Sequence, residues 1–218
     1  ERALLAVEGS NLLLAVPGSG KTTVLVDRLG HMVLNKNIPP QSILAITYNN
    51  TAADEMKNRF SSQFGEIYGK QIDFRTINSL ALKIYRDYCR KTNRPERKLI
   101  NEDNDVERRR LLGEVFKQHS GEYAAENDIL ELSSAITYIK NMMLTDEQIC
   151  EIESEYPHLK AMYESYQKSL KDNYRMDFDD QMVFALWILQ KDDEIISALR
   201  ARYKYICVDE AQDTSKIQ

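Results

Sequence analysis

Residues 15–22, Ala-Val-Pro-Gly-Ser-Gly-Lys-Thr, constrain this chain more than any other stretch of it. An apolar run of strand length, 11–16 (NLLLAV), leads into Gly18-Ser19-Gly20. A helical period then opens at Lys21-Thr22 and carries Val24, Leu25, Leu29, Met32 and Val33. Strand, glycine turn and helix in that order are what a phosphate-binding loop requires. Gly18 and Gly20 admit backbone conformations closed to other residues, so successive N–H groups can converge on a phosphate chain. The helix N-terminus adds its partial positive charge. Pro17, Gly18, Ser19, Gly20, Lys21, Thr22 and Thr23 are the expected nucleotide-binding residues. Lys21 would reach the β- and γ-phosphates, and the Thr22 hydroxyl would ligate Mg²⁺.

Beyond this first helix, apolar runs alternate with amphipathic periods. Residues 43–48 (ILAITY) read as a second strand after the Pro39-Pro40 break, and 51–64 as a helix with Ala52, Met56 and Phe60 four apart. A short strand at 72–76 and a helix at 79–88 come next. Near the end, 205–208 (YICV) is another buried-strand run closing on Asp209-Glu210. Strands apolar on both faces, alternating with helices, predict an α/β fold with a parallel sheet covered on both sides.

The middle reads differently. From about Lys91 to Tyr174 the pattern is helical, with no convincing strand. Stripes run through Val106, Leu111, Leu112, Val115 and Phe116, then through Ile129, Leu132, Ile136, Ile139 and Met143. A third runs through Leu159, Met162, Tyr163, Tyr166 and Leu170. Thr145-Asp146-Glu147-Gln148 has capping-box spacing. The expectation is an α/β domain, 1–90 with 175–218, interrupted by an all-helical insertion at 91–174.

Asp209-Glu210 comes directly after its strand, and parallel-sheet ligands collect at the carboxyl ends of strands. The pair is therefore expected beside the phosphate loop, with Asp209 holding Mg²⁺ through water and Glu210 orienting and deprotonating the attacking water. A metal-bound carboxylate is a poor base, whereas a neighbour with a free lone pair can act.

Bulk properties exclude other classes. With 43% hydrophobic and 29% charged residues over 218 positions, the chain can bury a core and present a solvated surface. No apolar run approaches the roughly 20 residues of a membrane span, and 11–16 is too short for a signal peptide. Cys89, Cys150 and Cys207 lie too far apart for a metal or redox motif. They read as reduced thiols of a cytoplasmic protein. His31, His119 and His158 are equally scattered. The net charge of −5 does not advertise nucleic acid, but a motor that releases and re-grips a strand needs only a local track.

Asp209 to Gln218, D-E-A-Q-D-T-S-K-I-Q, closely resembles the DExQDT…Q segment of UvrD/Rep/PcrA-type superfamily 1 DNA helicases. Residues 47–59 (TYNNTAADEMKNR) resemble that family's TFTNKAAxEMKxR, 76–82 (TINSLAL) its TFHSLAL, and 177–180 (DFDD) its DFxDL. With the phosphate loop, in which Ala15 in place of the first glycine is common in this group, these motifs cover nearly the whole chain. The resemblance implies a RecA-like core (1A) with a helical insertion (1B), ATP and Mg²⁺ as cofactors, and movement 3′→5′ along single-stranded DNA. It implies that Gln212 couples the γ-phosphate and its water to the DNA site. Tyr48 would stack a base, and Asn50, Thr76, Asn78 and Ser79 would bond backbone or base edges. A second RecA-like domain with an arginine finger would be the partner of this one, leaving the chain alone able to bind Mg-nucleotide but not to unwind.

Several positions depart from the family pattern. Thr23 stands where many relatives have Arg, Asn49 and Thr51 replace Thr and Lys, and Asn78 replaces His. Losing that Lys and that His puts the strength of strand contacts in question, not the ATP site. Two positive runs, 86–97 and 108–110, read as solvated helix faces. Competing readings are the helicase part of an AddA/RecB-type helicase–nuclease, a P-loop ATPase acting on something other than nucleic acid, and a binding module without turnover.

Overall fold

The structure, a computed structural model, describes residues 5–14, 16, 18–100, 105–154 and 156–218. In chain order the elements are α1 (Lys21–Leu34), β1 (Ile43–Thr47), α2 (Asn50–Phe64), α3 (Glu66–Gly69), β2 (Asp73–Thr76) and α4 (Ile77–Lys91). Then come β3 (Lys98–Leu99), α5 (Val106–Ser120), α6 (Glu126–Met142), α7 (Asp146–Ile152), α8 (Leu159–Asp172), β4 (Arg175–Met176) and α9 (Phe178–Lys191). The last are α10 (Asp193–Arg202) and β5 (Tyr205–Val208), with 3-10 turns at Pro40–Ser42 and Ala211–Asp213. Two compact units result: Glu1–Leu80 with Asp192–Thr214, and Ala81–Lys191 with Ser215–Gln218. The second takes in most of α4 and all of α9, outside the 91–174 read from sequence.

The first unit is the α/β fold expected. Its sheet runs β2-β1-β5, all parallel, with Thr47 opposite Thr76 and Ile46 opposite Val208. All five residues of β1 are buried, as a central strand requires. Alternate residues serve opposite faces. Ile43 and Ala45 join a core with Leu29, Met32, Met56 and Phe60, while Leu44 and Ile46 pack with Tyr203, Ile77 and Leu199. Gly30 is required where α1 meets α2, because a Cβ there would lie 2.3 Å from the Phe64 ring.

One expected strand is corrected. Residues 11–14 and 16 form no strand, and Leu12, Leu14 and Val16 are exposed at 77, 83 and 72%. An apolar run stays extended and buried only if a ladder satisfies its backbone groups. Among the described residues β5 pairs only with β1, and Ile206 on it is 60% exposed. The outer edge of β5 is thus open, and residues 11–14 and 16 are not paired with it.

The second unit is helical, built on Leu112, Val115, Leu132, Ile136, Leu159 and Tyr166. Val106, read as part of the first stripe, is exposed. The capping box forms, with Thr145 Oγ1 accepting from the Gln148 N–H at 3.4 Å and Gln148 Oε1 accepting from the Thr145 N–H at 3.0 Å. A two-residue parallel ladder, β3 with β4, is a small exception to the strandless reading of the middle. The positive runs fold back on their own neighbours. Arg86 meets Glu96 at 3.1 Å, Arg90 pairs with Asp87, Arg109 meets Glu126 at 3.2 Å and Arg110 meets Glu114 at 3.3 Å. Among the described residues no helix is long and apolar enough to cross a membrane.

Candidate functional site

Three segments leave the carboxyl edge of the sheet side by side. Tyr48 follows β1, Ile77 follows β2 and Asp209 follows β5, and the Asp209 N–H donates to the Ile46 carbonyl at 2.9 Å. The start of α1 meets that edge. Thr22 Oγ1 donates to Asp209 Oδ2 at 3.0 Å, and Lys21 Nζ lies 3.4 Å from Glu210 Oε2. The Gln212 amide donates to the same Glu210 oxygen. Lys21, Thr22, Asp209, Glu210 and Gln212, nearly 190 residues apart in sequence, are thus brought together in one unit.

The backbone prepares this arrangement on both sides. Gly18 (φ 77°) and Gly20 (φ 82°) take the left-handed conformation for which glycine was expected, and a Cβ at Gly18 would meet nothing within 4 Å. Glu210 takes the same conformation (φ 50°, ψ 45°) as a non-glycine residue, a local strain that functional sites characteristically hold. It points the Glu210 side chain back toward Lys21 while its N–H donates to Asp209 Oδ1 at 3.1 Å. The Gln212 amide and then the Lys21 ammonium hold the Glu210 carboxyl below the usual carboxylate range. Nothing in the sequence signalled this backbone conformation. Ser19 and Thr23 are exposed on the loop and first turn, and Thr23 Oγ1 accepts from Arg59 at 3.3 Å. Pro17 lies outside the described residues.

The oxygens at Thr22 and Asp209 suit a hard divalent cation. Among the described residues no group of three or more His, Cys, Asp or Glu could hold a metal unaided. Magnesium, which keeps several waters and is commonly shared with phosphates, fits so sparse a protein donor set.

Of the residues expected along the strand track, Tyr48 is 70% exposed, and Asn50 and Asn78 are exposed too. Thr76 and Ser79 bond each other. The Ser79 N–H donates to Thr76 Oγ1 at 3.2 Å and Ser79 Oγ to the Thr76 carbonyl at 2.8 Å, fixing the first turn of α4. Asn49 is the N-cap of α2, its Oδ1 accepting from the Ala52 N–H at 2.8 Å. Threonine would cap there as well, so this departure leaves the local fold unchanged.

Comparison with known proteins agrees with this geometry. The family described as UvrD/REP helicase N-terminal domain matches residues 1–218. The chain is 28% identical to the ATP-dependent DNA helicase PcrA of Staphylococcus aureus over 218 residues, 99% of this chain and 29% of that protein. It is 30% identical to the "Probable DNA helicase II homolog" of Rickettsia conorii over 224 residues, 100% of this chain and 33% of that protein. The chain thus spans about a third or less of the relatives it matches.

Proposed function

Because the chain belongs to the UvrD/REP helicase N-terminal domain family, we propose that the whole protein is an ATP-dependent DNA helicase that moves 3′→5′ along single-stranded DNA in the cytoplasm. The observation that carries this reading is the meeting of Lys21 and Thr22 with Asp209 and Glu210 at one sheet edge. On this reading residues 1–90 and 175–218 act as the RecA-like domain and 91–174 as the helical insertion. The second RecA-like domain of the family would complete the motor, and the chain alone binds nucleotide without unwinding.

Each group then has a task. Gly18, Ser19, Gly20, Lys21, Thr22 and Thr23 hold the phosphates. Thr22 and Asp209 would hold Mg²⁺, which would supply positive charge for the phosphoryl oxygens. Lys21 exchanges Glu210 for phosphate oxygens. That exchange removes a cation from the carboxylate and raises its basicity, so Glu210 can take the proton of the attacking water. Gln212, already bonded to Glu210, links that event to the strand. Tyr48 stacks a base, worth about 1–3 kcal/mol without reading sequence. Asn50 and Asn78 contact the strand directly, while Thr76 and Ser79 contribute through the start of α4.

The test is steady-state ATP hydrolysis by the full-length protein with and without single-stranded DNA. Strong stimulation is expected. Turnover indifferent to DNA would remove the helicase reading and leave an ATPase acting elsewhere.

A further inference from the structure

Arg59, on the flank of α2, reaches across to the helix that opens at the phosphate loop. Its Nη1 donates to Thr23 Oγ1 at 3.3 Å, and one turn further along both helices Gln63 Nε2 donates to Asp27 Oδ1 at 2.8 Å. Two bonds with the same four-residue step on each helix set α1 and α2 side by side and in the same sense. Met56 and Phe60 of α2 enter the core with Leu29 and Met32 of α1, and the Phe64 ring lies against Gly30, where even a Cβ would not fit. Packing this close fixes how far one helix can slide along the other, and so holds Arg59 at the first turn of α1.

Thr23 is the third residue of α1, directly after Lys21 and Thr22. Its hydroxyl faces back toward the loop, since a Cβ on Gly20 would lie 4.0 Å from Thr23 Oγ1. The guanidinium therefore ends beside the turn where loop and helix N–H groups gather a phosphate chain.

The charge of Arg59 is also uncommitted. A helical arginine ordinarily takes an acid three or four residues away, and Glu55 stands at that spacing. Among the described residues Arg59 nonetheless forms no ion pair, whereas Arg86, Arg109 and Arg110 meet glutamates at 3.1, 3.2 and 3.3 Å. A guanidinium has five N–H donors in a planar fork that matches phosphate, and the neutral Thr23 hydroxyl takes only one of them. Lys21 and Thr22 face Glu210 and Asp209, the side on which the γ-phosphate is expected. Thr23 faces α2 instead, so Arg59 approaches the phosphate chain from the α2 side and not from that of the acidic pair.

We infer that Arg59 is a further nucleotide-binding residue, its guanidinium bonding a phosphate oxygen that ATP and ADP share. This rests on the proposed ATPase function.

The test is equilibrium binding of ATP and of ADP to the full-length protein without DNA. Arg59→Gln keeps a donor for Thr23 but removes the charge, and should weaken both nucleotides about tenfold, as the loss of a charge-assisted bond would. Arg59→Lys returns a cation and should recover both affinities to within about threefold of wild type. Gln63→Ala cuts the companion bond between the same two helices, and should leave both affinities within about twofold. Wild-type affinity in Arg59→Gln, an equal loss in Gln63→Ala, or Arg59→Lys no better than Arg59→Gln overturns the inference. So does a loss for ATP with none for ADP, which would place the contact on the γ-phosphate. Unchanged nucleotide binding with weakened single-stranded DNA binding in Arg59→Gln overturns it too, and gives Arg59 to the strand. Wild-type protein that binds neither nucleotide overturns the proposed function instead.

Discussion

The molecule contains two constellations of one lysine and two acids, and they are built in opposite ways. Lys21 lies 3.4 Å from Glu210, with Asp209 bonded to Thr22, and both members of the ion pair are partly open to solvent. Lys140 lies 2.7 Å from both Asp177 and Asp180, all three buried, and Tyr166 donates a further bond to Asp177 at 3.0 Å. In the first, the ammonium contact is the longer one, and Glu210 also accepts from the Gln212 amide. In the second, short bonds meet the requirements of an ammonium taken out of water, which would otherwise be costly. On the proposed function, the same residue types make a site where Lys21 changes partners and a clamp where Lys140 keeps them. Burial and bond length, rather than composition, separate the two.

The contrast is sharpest in catalysis. Glu210→Gln keeps the size of the side chain and its bond potential toward Lys21 but removes the base. In the full-length protein it should lower ATP turnover by about 10²–10⁴, with nucleotide affinity close to wild type. Turnover measured alongside equilibrium nucleotide binding checks this, and unchanged turnover would reassign the base.

Substituting the two lysines separates the constellations by stability. Lys140→Met leaves buried carboxylates without their cation and should cost about 3–5 kcal/mol in urea unfolding. Lys21→Met breaks a partly solvated pair and should cost less than about 1 kcal/mol. It should instead weaken nucleotide binding by about 1.5–3 kcal/mol, the worth of a charge-assisted contact. Equal stability losses would mean that the Lys21 pair is also structural.

How legible each was in the sequence depends on the same physics. The phosphate loop could be read because Gly18 and Gly20 record a backbone requirement, and both take the left-handed conformation. The acidic pair could be read from its place after an apolar strand, and the parallel sheet from the alternation of runs and helices. Lys140 could not. A lysine one residue past Ile139 in an apolar stripe looks like the edge of a helix face, and only the fold shows it 4% exposed between two carboxylates. The 177–180 segment carried a hint, since acids three apart at a helix start can cap each other's N–H groups, as Asp177 and Asp180 do. Residues 11–14 and 16 mislead for the converse reason. Hydropathy reports that a segment suits burial, whereas a strand also needs a neighbouring ladder, which no local pattern encodes. Arg108 in a run of three arginines reads as surface charge, yet it donates to Tyr166 at 3.3 Å beside the clamp.

Within the clamp the two carboxylates should differ, and this is the smallest effect that still discriminates. Burial opposes the charge on both. For Asp177 the Lys140 ammonium, the Asp180 N–H and the Tyr166 hydroxyl outweigh it, and the carboxyl is held below its ordinary value of 3.8. For Asp180 burial wins, reinforced by the neighbouring Asp177 charge, and its carboxyl is pushed up. The signs are therefore opposite. Asp177 contributes stability that is present above 3.8 and lost as pH falls through its lower folded value. Asp180 contributes stability that is fully present below 3.8 and is lost as pH rises through its higher folded value. Near neutral pH, Asp177→Asn should cost about 1.5–3 kcal/mol, as expected for bonds to a charged group. Asp180→Asn should cost less, because neutralising that group relieves an unfavourable charge. On acidification below 3.8 the Asp177→Asn deficit should shrink toward zero, whereas Asp180→Asn should lose ground against wild type, which gains the Asp180 contribution as that carboxyl protonates. Urea midpoints across the acid range check both. A deficit of Asp177→Asn that persists in acid, or a larger one for Asp180→Asn at neutral pH, would mean that Lys140 favours the other carboxylate.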